Sequence, residues 1–152
     1  EVVIIRSPLV YGPGVKANFA ALMRTVMRGW PLPFGAIRNA RSLVGLDNLV
    51  DFVCCCITHP AAANQTFLVS DGHDVSSAQL VRELSVAAGV RPRLWNVPVW
   101  LLKLGGTLLG KRQAVQRLCG SLQVDIAKAR TVLGWHPPVS IQEGFKKAVS
   151  KV

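Results

Sequence analysis

Hydrophobic positions along this chain switch between a continuous, strand-like pattern and a helical one, and the switches are marked by turn residues. Val2 to Arg6 is a β-branched run of the kind a strand buried on both faces uses, closed by Ser7-Pro8 and the turn-rich Tyr11-Gly12-Pro13-Gly14. Asn18 stands where an N-cap belongs for a helix over Phe19 to Arg28, in which Ala20, Leu22, Met23, Val26 and Met27 recur at helical spacing before Gly29. Short strands are expected around Leu32–Phe34 and at Ser42 to Gly45, then a helix capped by Asp47 and running to about His59. Thr66 to Ser70 reads as a strand ended by Asp71-Gly72, and Ser76 with Gln79 makes a capping box for a helix that stops at Gly89.

Leu94 to Val97 suits one more strand. Pro98 then occupies the place of a first helical position before Val99 to Leu109, and a Gly-rich step leads to a second helical stretch through Arg117. Asp125 is placed to cap Ile126 to Leu133, and Ser140 with Glu143 forms a second capping box for the last helix. The alternation predicts an α/β fold, heavier in helix toward its C-terminal end.

Composition narrows the class. With 152 residues, half of them hydrophobic and 17% charged, the chain has one domain's worth of core and is not disordered. It starts on Glu1-Val-Val-Ile-Ile5 without Met, a basic n-region or a cleavage site, and reads as a strand cut from a longer protein rather than a signal peptide. The apolar run from Trp95 to Leu109 is interrupted by Asn96, Pro98, Lys103 and Gly105-Gly106, too soon for a membrane span. Cys54, Cys55 and Cys56 are adjacent, so their side chains diverge on a helix and cannot share a metal. With Cys119 they are expected to fill the core, which suits a reducing cytoplasm.

A formal charge of +10 invites an anionic partner. The cations are scattered, with no nucleic-acid-binding motif, so a solvated basic surface with a local phosphate site is expected rather than a nucleic-acid binder; a basic module for polyanions stays open as the rival class.

The most specific segment is Arg6-Ser-Pro-Leu-Val-Tyr-Gly-Pro13, a strand feeding a loop at its carboxyl end, where open α/β sheets place ligands. It resembles the R-x-x-x-V-Y-G-P segment of the extended short-chain dehydrogenase/reductases. The resemblance continues in order through Asn18-Phe19, Pro31-Leu-Pro-Phe-Gly35, Arg41-Ser-Leu-Val-Gly-Leu-Asp47, Thr66-Phe-Leu-Val-Ser70, and Asp125-Ile-Ala-Lys128 with Leu133-Gly-Trp-x-Pro137. Singly, each piece has a plainer use: a turn, a cap, a surface charge, or, for Trp135, a packing anchor. The ordered set is what resembles the family.

That resemblance implies the C-terminal part of an extended short-chain dehydrogenase/reductase of the NAD-dependent epimerase/dehydratase kind: the last strands of a parallel Rossmann-type sheet plus a small, mainly helical substrate-binding domain, over residues 1–152. It implies that Leu32, Pro33 and Phe34 hold a uracil base, that Asn18, Arg41 and Arg117 meet the pyrophosphate of a nucleotide sugar, UDP-hexose above all, and that Pro8 and Val10 line the nicotinamide of NAD or NADP. Leu9 stands where many UDP-hexose epimerases carry Asn, which keeps 3β-hydroxysteroid dehydrogenase-like and dihydroflavonol reductase-like parents open. The only tyrosine is Tyr11 and position 15 is Val15, so the Tyr-x-x-x-Lys pair that deprotonates substrate in the family is not in this chain. Gly105 to Gly110 follows a helical run and is not expected to be a dinucleotide loop. The expectation is a chain without catalytic residues or metal, holding no cofactor tightly by itself, that pairs with a missing N-terminal half or self-associates through an exposed sheet.

Overall fold

Strands far apart in the sequence pair in parallel here, which is possible only because long, largely helical connections separate them. The computed structural model describes residues 1–15 and 18–150, and Asn18 by its backbone alone. The chain divides into two compact units: residues 1–15, 42–74 and 123–152 form the first, and 16–41 with 75–122 the second.

In the first unit β1 (Ile4–Arg6) pairs in parallel with β4 (Thr66–Leu68), Ile5 opposite Phe67. A second sheet has the order β2-β3-β5, from β2 (Leu9–Tyr11), β3 (Arg41–Gly45) and β5 (Asp74–Val75), with Val10 opposite Val44. Helix α2 (Leu46–Thr58) turns Asn48, Phe52 and Cys56 inward at four-residue intervals. Phe52 meets Phe67 and Trp135 edge-on at centroid distances of 6.0 and 4.8 Å. A single 3-10 turn (Pro60–Ala62) follows α2.

Helix α6 (Ala127–Leu133) ends at Gly134, whose φ of 63° is the left-handed stop glycine adopts without cost. That reversal drops Trp135 into the core, where its indole Nε1 donates to Asp51 at 2.8 Å. Lys128 on the same helix donates to the Thr66 carbonyl at 3.0 Å and lies over the Phe67 ring. Helix α7 (Ile141–Val149) opens on the Ser140/Glu143 capping box and buries Ile141, Phe145 and Ala148.

The second unit is helical. Helix α1 (Asn18–Met27) packs on α3 (Ser77–Ala87), and α4 (Val99–Leu108) forms a hairpin with α5 (Arg112–Cys119). Gly106 makes that hairpin close, since a Cβ there would lie 2.5 Å from a methyl of Val115. Leu32 and Leu94 meet in one parallel bridge.

Several sequence expectations are corrected. The loop after β1 contains β2, because parallel partners extend Leu9–Tyr11 where local turn signals pointed to a bend. Around Leu32–Phe34 and Leu94–Val97 there is one bridge, not two strands. Gly45, not Asp47, caps α2, and Asp47 instead pairs with Lys147 at 2.6 Å on the surface. Helix α6 starts one residue later than expected, so Ile126 and not Asp125 is its N-cap, yet the Asp125 carboxylate still accepts from the Ala127 amide at 2.8 Å. Of the cysteines only Cys56 is buried; Cys54 is exposed and Cys55 and Cys119 are intermediate, because successive helical positions turn about 100°. Among the described residues no cluster could hold a metal, and no helix is long and apolar enough to cross a membrane.

Gly144 on α7 faces Tyr11, with a Cβ site 2.6 Å from the phenol oxygen. Alanine normally improves a helix over glycine by about 1 kcal/mol, whereas overpacking costs about 1–3 kcal/mol. Gly144→Ala is therefore expected to lower stability in denaturant titration, and an equal or higher midpoint would contradict this packing.

Candidate functional site

The second unit contains an open groove of about 470 Å³ lined by Arg41, Gln113, Gln116, Arg117 and the Gly120–Leu122 turn. Its construction starts with a buried amide. Asn39 accepts from the Ser77 amide at 2.8 Å and donates to the Ser77 hydroxyl and to the Leu118 and Gly120 carbonyls at 3.1, 3.0 and 2.8 Å. Those carbonyls lie at and just beyond the end of α5, where helical partners run out. The next residues continue the pairing: the Ala40 amide donates to Ser121 Oγ at 3.2 Å, and Arg41 forms a bridge with Leu122.

Arg41 is thereby held against α5, and its Nη1 donates to the Arg117 carbonyl at 2.8 Å. A guanidinium has five N–H donors, so this contact anchors the fork while leaving donors for another acceptor. The two arginines that the sequence picks out line one groove although they are 76 positions apart. No lining residue is acidic. Two cations and two amides at a groove that admits solvent suit an anion rich in acceptor oxygens.

The other expected residues are distributed. Leu32, Pro33 and Phe34 are half-buried in the second unit, where the Leu32 amide donates to the Arg93 carbonyl at 2.8 Å and the Gly35 amide to the Trp95 carbonyl at 3.0 Å, so the segment is shaped by the strand-like stretch before α4. Asn18 is the first residue of α1, and its side chain lies outside the described residues. Pro8 and Val10 are half-buried in the first unit; Val10 packs against the core that holds Phe52 and Trp135.

Sequence reasoning missed a polar node in the first unit. The Asp71 carboxylate accepts from the Tyr11 hydroxyl at 2.6 Å, the Gly45 amide at 2.9 Å and the Asn48 amide group at 2.8 Å. Asn48 also exchanges two hydrogen bonds with the Val139 backbone at 2.8 and 2.9 Å. Asp71 looks like a turn residue in the sequence, and only the parallel register brings three elements to it. The cavity beside this node is about 10 Å³, at the lower limit for one water and too small for a substrate. Burial, then the hydrogen bond to Asp71 and its charge, pushes the Tyr11 phenol far above its ordinary range. A family base needs the opposite shift.

No family model matches the chain. A UDP-glucose 4-epimerase of Vibrio cholerae is 60% identical over 148 residues, spanning 97% of this chain and 45% of that protein. Over almost its whole length the chain is UDP-glucose 4-epimerase-like. The likeness is that of a C-terminal portion of an epimerase of the short-chain dehydrogenase/reductase type. It is also 24% identical to an Escherichia coli O157:H7 N-acetyl-α-D-glucosaminyl-diphospho-ditrans,octacis-undecaprenol 4-epimerase, of which it spans 47%. Among solved structures, Thermotoga maritima UDP-glucose 4-epimerase with UDP-glucose superposes at a TM-score of 0.68 and 25% identity, over 97% of this chain and 44% of that one. The Thermus thermophilus UDP-glucose 4-epimerase complex with NAD gives a TM-score of 0.70 at 20% identity, over 97% of this chain and 45% of that one, and shares the fold. The chain spans slightly under half the length of these relatives.

The motifs that carry the resemblance have physical roles in this fold. The V-Y-G-P tyrosine is tied to Asp71, and the L-G-W tail is a left-handed stop that inserts Trp135. Gly105 and Gly106 lie inside α4, so they are helix residues and not a phosphate loop.

The single tyrosine makes the node easy to test. The unfolded chain gives up the phenol proton at about pH 10, and the folded chain holds it well beyond. This contribution to stability is intact below pH 10 and is lost as pH rises above it. Spectrophotometric titration is expected to show no tyrosinate until the chain unfolds, and Tyr11→Phe to flatten part of the alkaline stability loss. A native tyrosinate signal near pH 10 would contradict the buried hydrogen bond.

Proposed function

We propose that this chain is the nucleotide-sugar-binding portion of an NAD(P)-dependent epimerase or dehydratase, with a UDP-hexose as ligand. The observation that carries the reading is the acid-free groove in which Arg41 and Arg117 come together, fixed by Asn39. A diphosphate offers two adjacent anionic groups, and paired guanidinium forks meet its oxygens with directed, charge-assisted hydrogen bonds. Gln113 and Gln116 add neutral donors at the same wall. Phe34, with the Leu32-Pro33 backbone, supplies the base platform, and the start of α1 at Asn18 adds backbone amides at a helix N-terminus.

Pro8 and Val10 offer apolar surface suited to one face of a nicotinamide, and nothing in either side chain binds phosphate. When bound in the whole enzyme, NAD(P) supplies hydride transfer at a sugar carbon. This chain's share is position and charge, which turns binding energy into rate by orienting the sugar. It has no phenol poised as a base, since Tyr11 is engaged with Asp71, so the chain by itself is expected to show no turnover. The exposed Val2, Ile4 and Leu68 on and beside the β1–β4 pair are where further strands of the parent's sheet, or a second copy, would cover it.

Isothermal titration with UDP-glucose tests the reading. Arg41→Ala removes a charge-assisted contact of about 1.5–3 kcal/mol, so affinity is expected to fall about tenfold to a hundredfold. Arg117→Ala is expected to act in the same direction with circular dichroism unchanged. Wild-type affinity in both variants would remove the groove from the site.

A further inference from the structure

Helix α4 has an apolar face that no described residue covers. Its inner side, with the buried Gly106, packs on Val115 of α5. Its outer side carries Trp100, Leu104 and Leu108 at four-residue intervals, with Leu101 beside them. These are open to solvent, Trp100 at 66%, Leu108 at 79% and the adjoining Leu109 at 76%, and Trp95 just before the helix is 63% exposed. Scattered apolar residues are ordinary on a protein surface, but a run of large exposed apolar side chains along one helix face, Trp100 among them, marks an interaction surface.

Charge identifies the partner. Between Leu84 and Val124 the sequence holds six cations, Arg91, Arg93, Lys103, Lys111, Arg112 and Arg117, and no carboxylate. Lys103 lies on α4 itself, and Lys111 and Arg112 follow closely on Leu108–Leu109 at the turn of the hairpin. Tryptophan and leucine on one face, rimmed by lysine and arginine, is the composition of an element that lies in the headgroup region of a bilayer. At ten residues α4 is far too short to span.

We propose that the outer face of the α4–α5 hairpin docks peripherally on an anionic phospholipid surface, with Trp100, Leu104 and Leu108 entering the acyl boundary and Lys103, Lys111 and Arg112 meeting the headgroups. The proposal stands on this surface alone and does not rest on the nucleotide-sugar reading.

Vesicle co-sedimentation of the chain tests it, comparing phosphatidylcholine alone with phosphatidylcholine containing about one-third phosphatidylglycerol. The expected result is binding to the anionic vesicles that weakens with added salt, with binding to the neutral ones at least about tenfold weaker. Trp100→Ser with Leu108→Ser is expected to reduce binding by about tenfold or more. Lys111→Gln with Arg112→Gln should weaken the dependence on charge and salt, whereas Ile57→Ser, at an exposed apolar site on α2, should change nothing. Absence of vesicle binding, or binding that survives the α4 substitutions, overturns the proposal. So does concentration-dependent self-association that those substitutions abolish in a chain that ignores vesicles, since the face would then belong to a second copy.

Discussion

The candidate groove depends on the side-chain amide of Asn39. Buried in the second unit, its oxygen accepts one hydrogen bond and its two N–H donors are shared among three acceptors, a hydroxyl and two carbonyls. An asparagine has room for about that many partners, so no other side chain replaces it without leaving buried polar groups unpaired. The amide joins the segment before β3 to the end of α5 and to the start of α3, three places distant in sequence. Arg41 and Arg117 come together as a consequence, because Arg41 follows closely on Asn39 and Arg117 directly precedes Leu118, whose carbonyl that amide holds.

In the first unit Asp71 plays the corresponding part. Its carboxylate gathers the end of β2, the end of β3 and the first turn of α2 through Tyr11, Gly45 and Asn48. Each donor compensates the cost of drawing a carboxylate partly out of water, and the carboxylate in turn keeps Tyr11 protonated. Tyr11 then packs tilted on Phe145 at 4.6 Å, which couples the node to α7. A residue that resembles part of a ligand loop in the sequence is thereby a structural member of the core.

Much of this was legible beforehand because it is local. The capping serines Ser76 and Ser140, the helical spacing of α1, and the end of α6 at Leu133 all follow from neighbours within one or two turns. That Val2–Arg6 and Thr66–Ser70 belong to a parallel sheet was also readable from their continuous β-branched or apolar runs, although Val2, Ile4 and Leu68 are exposed here. What escaped depends on long-range pairing. Strand β2 exists through its register with β3, Asp47 is drawn to Lys147 100 positions away, and Cys54 faces outward because α2 turns its neighbour Cys56 inward. Of the candidate site, Arg41 and Arg117 were named from the ordered resemblance, whereas Asn39 and Asp71 give no local signal: an asparagine before a strand and an aspartate before a glycine read as turn residues until their partners are known.

Discrimination among uridine ligands tests the central claim most directly, because it asks whether the groove recognises a diphosphate. Titration of the chain with uridine, UMP and UDP under one ionic condition is predicted to give affinities rising in that order, with the largest step at the second phosphate and that step lost in Arg41→Ala. Equal affinity for UMP and UDP would contradict the account.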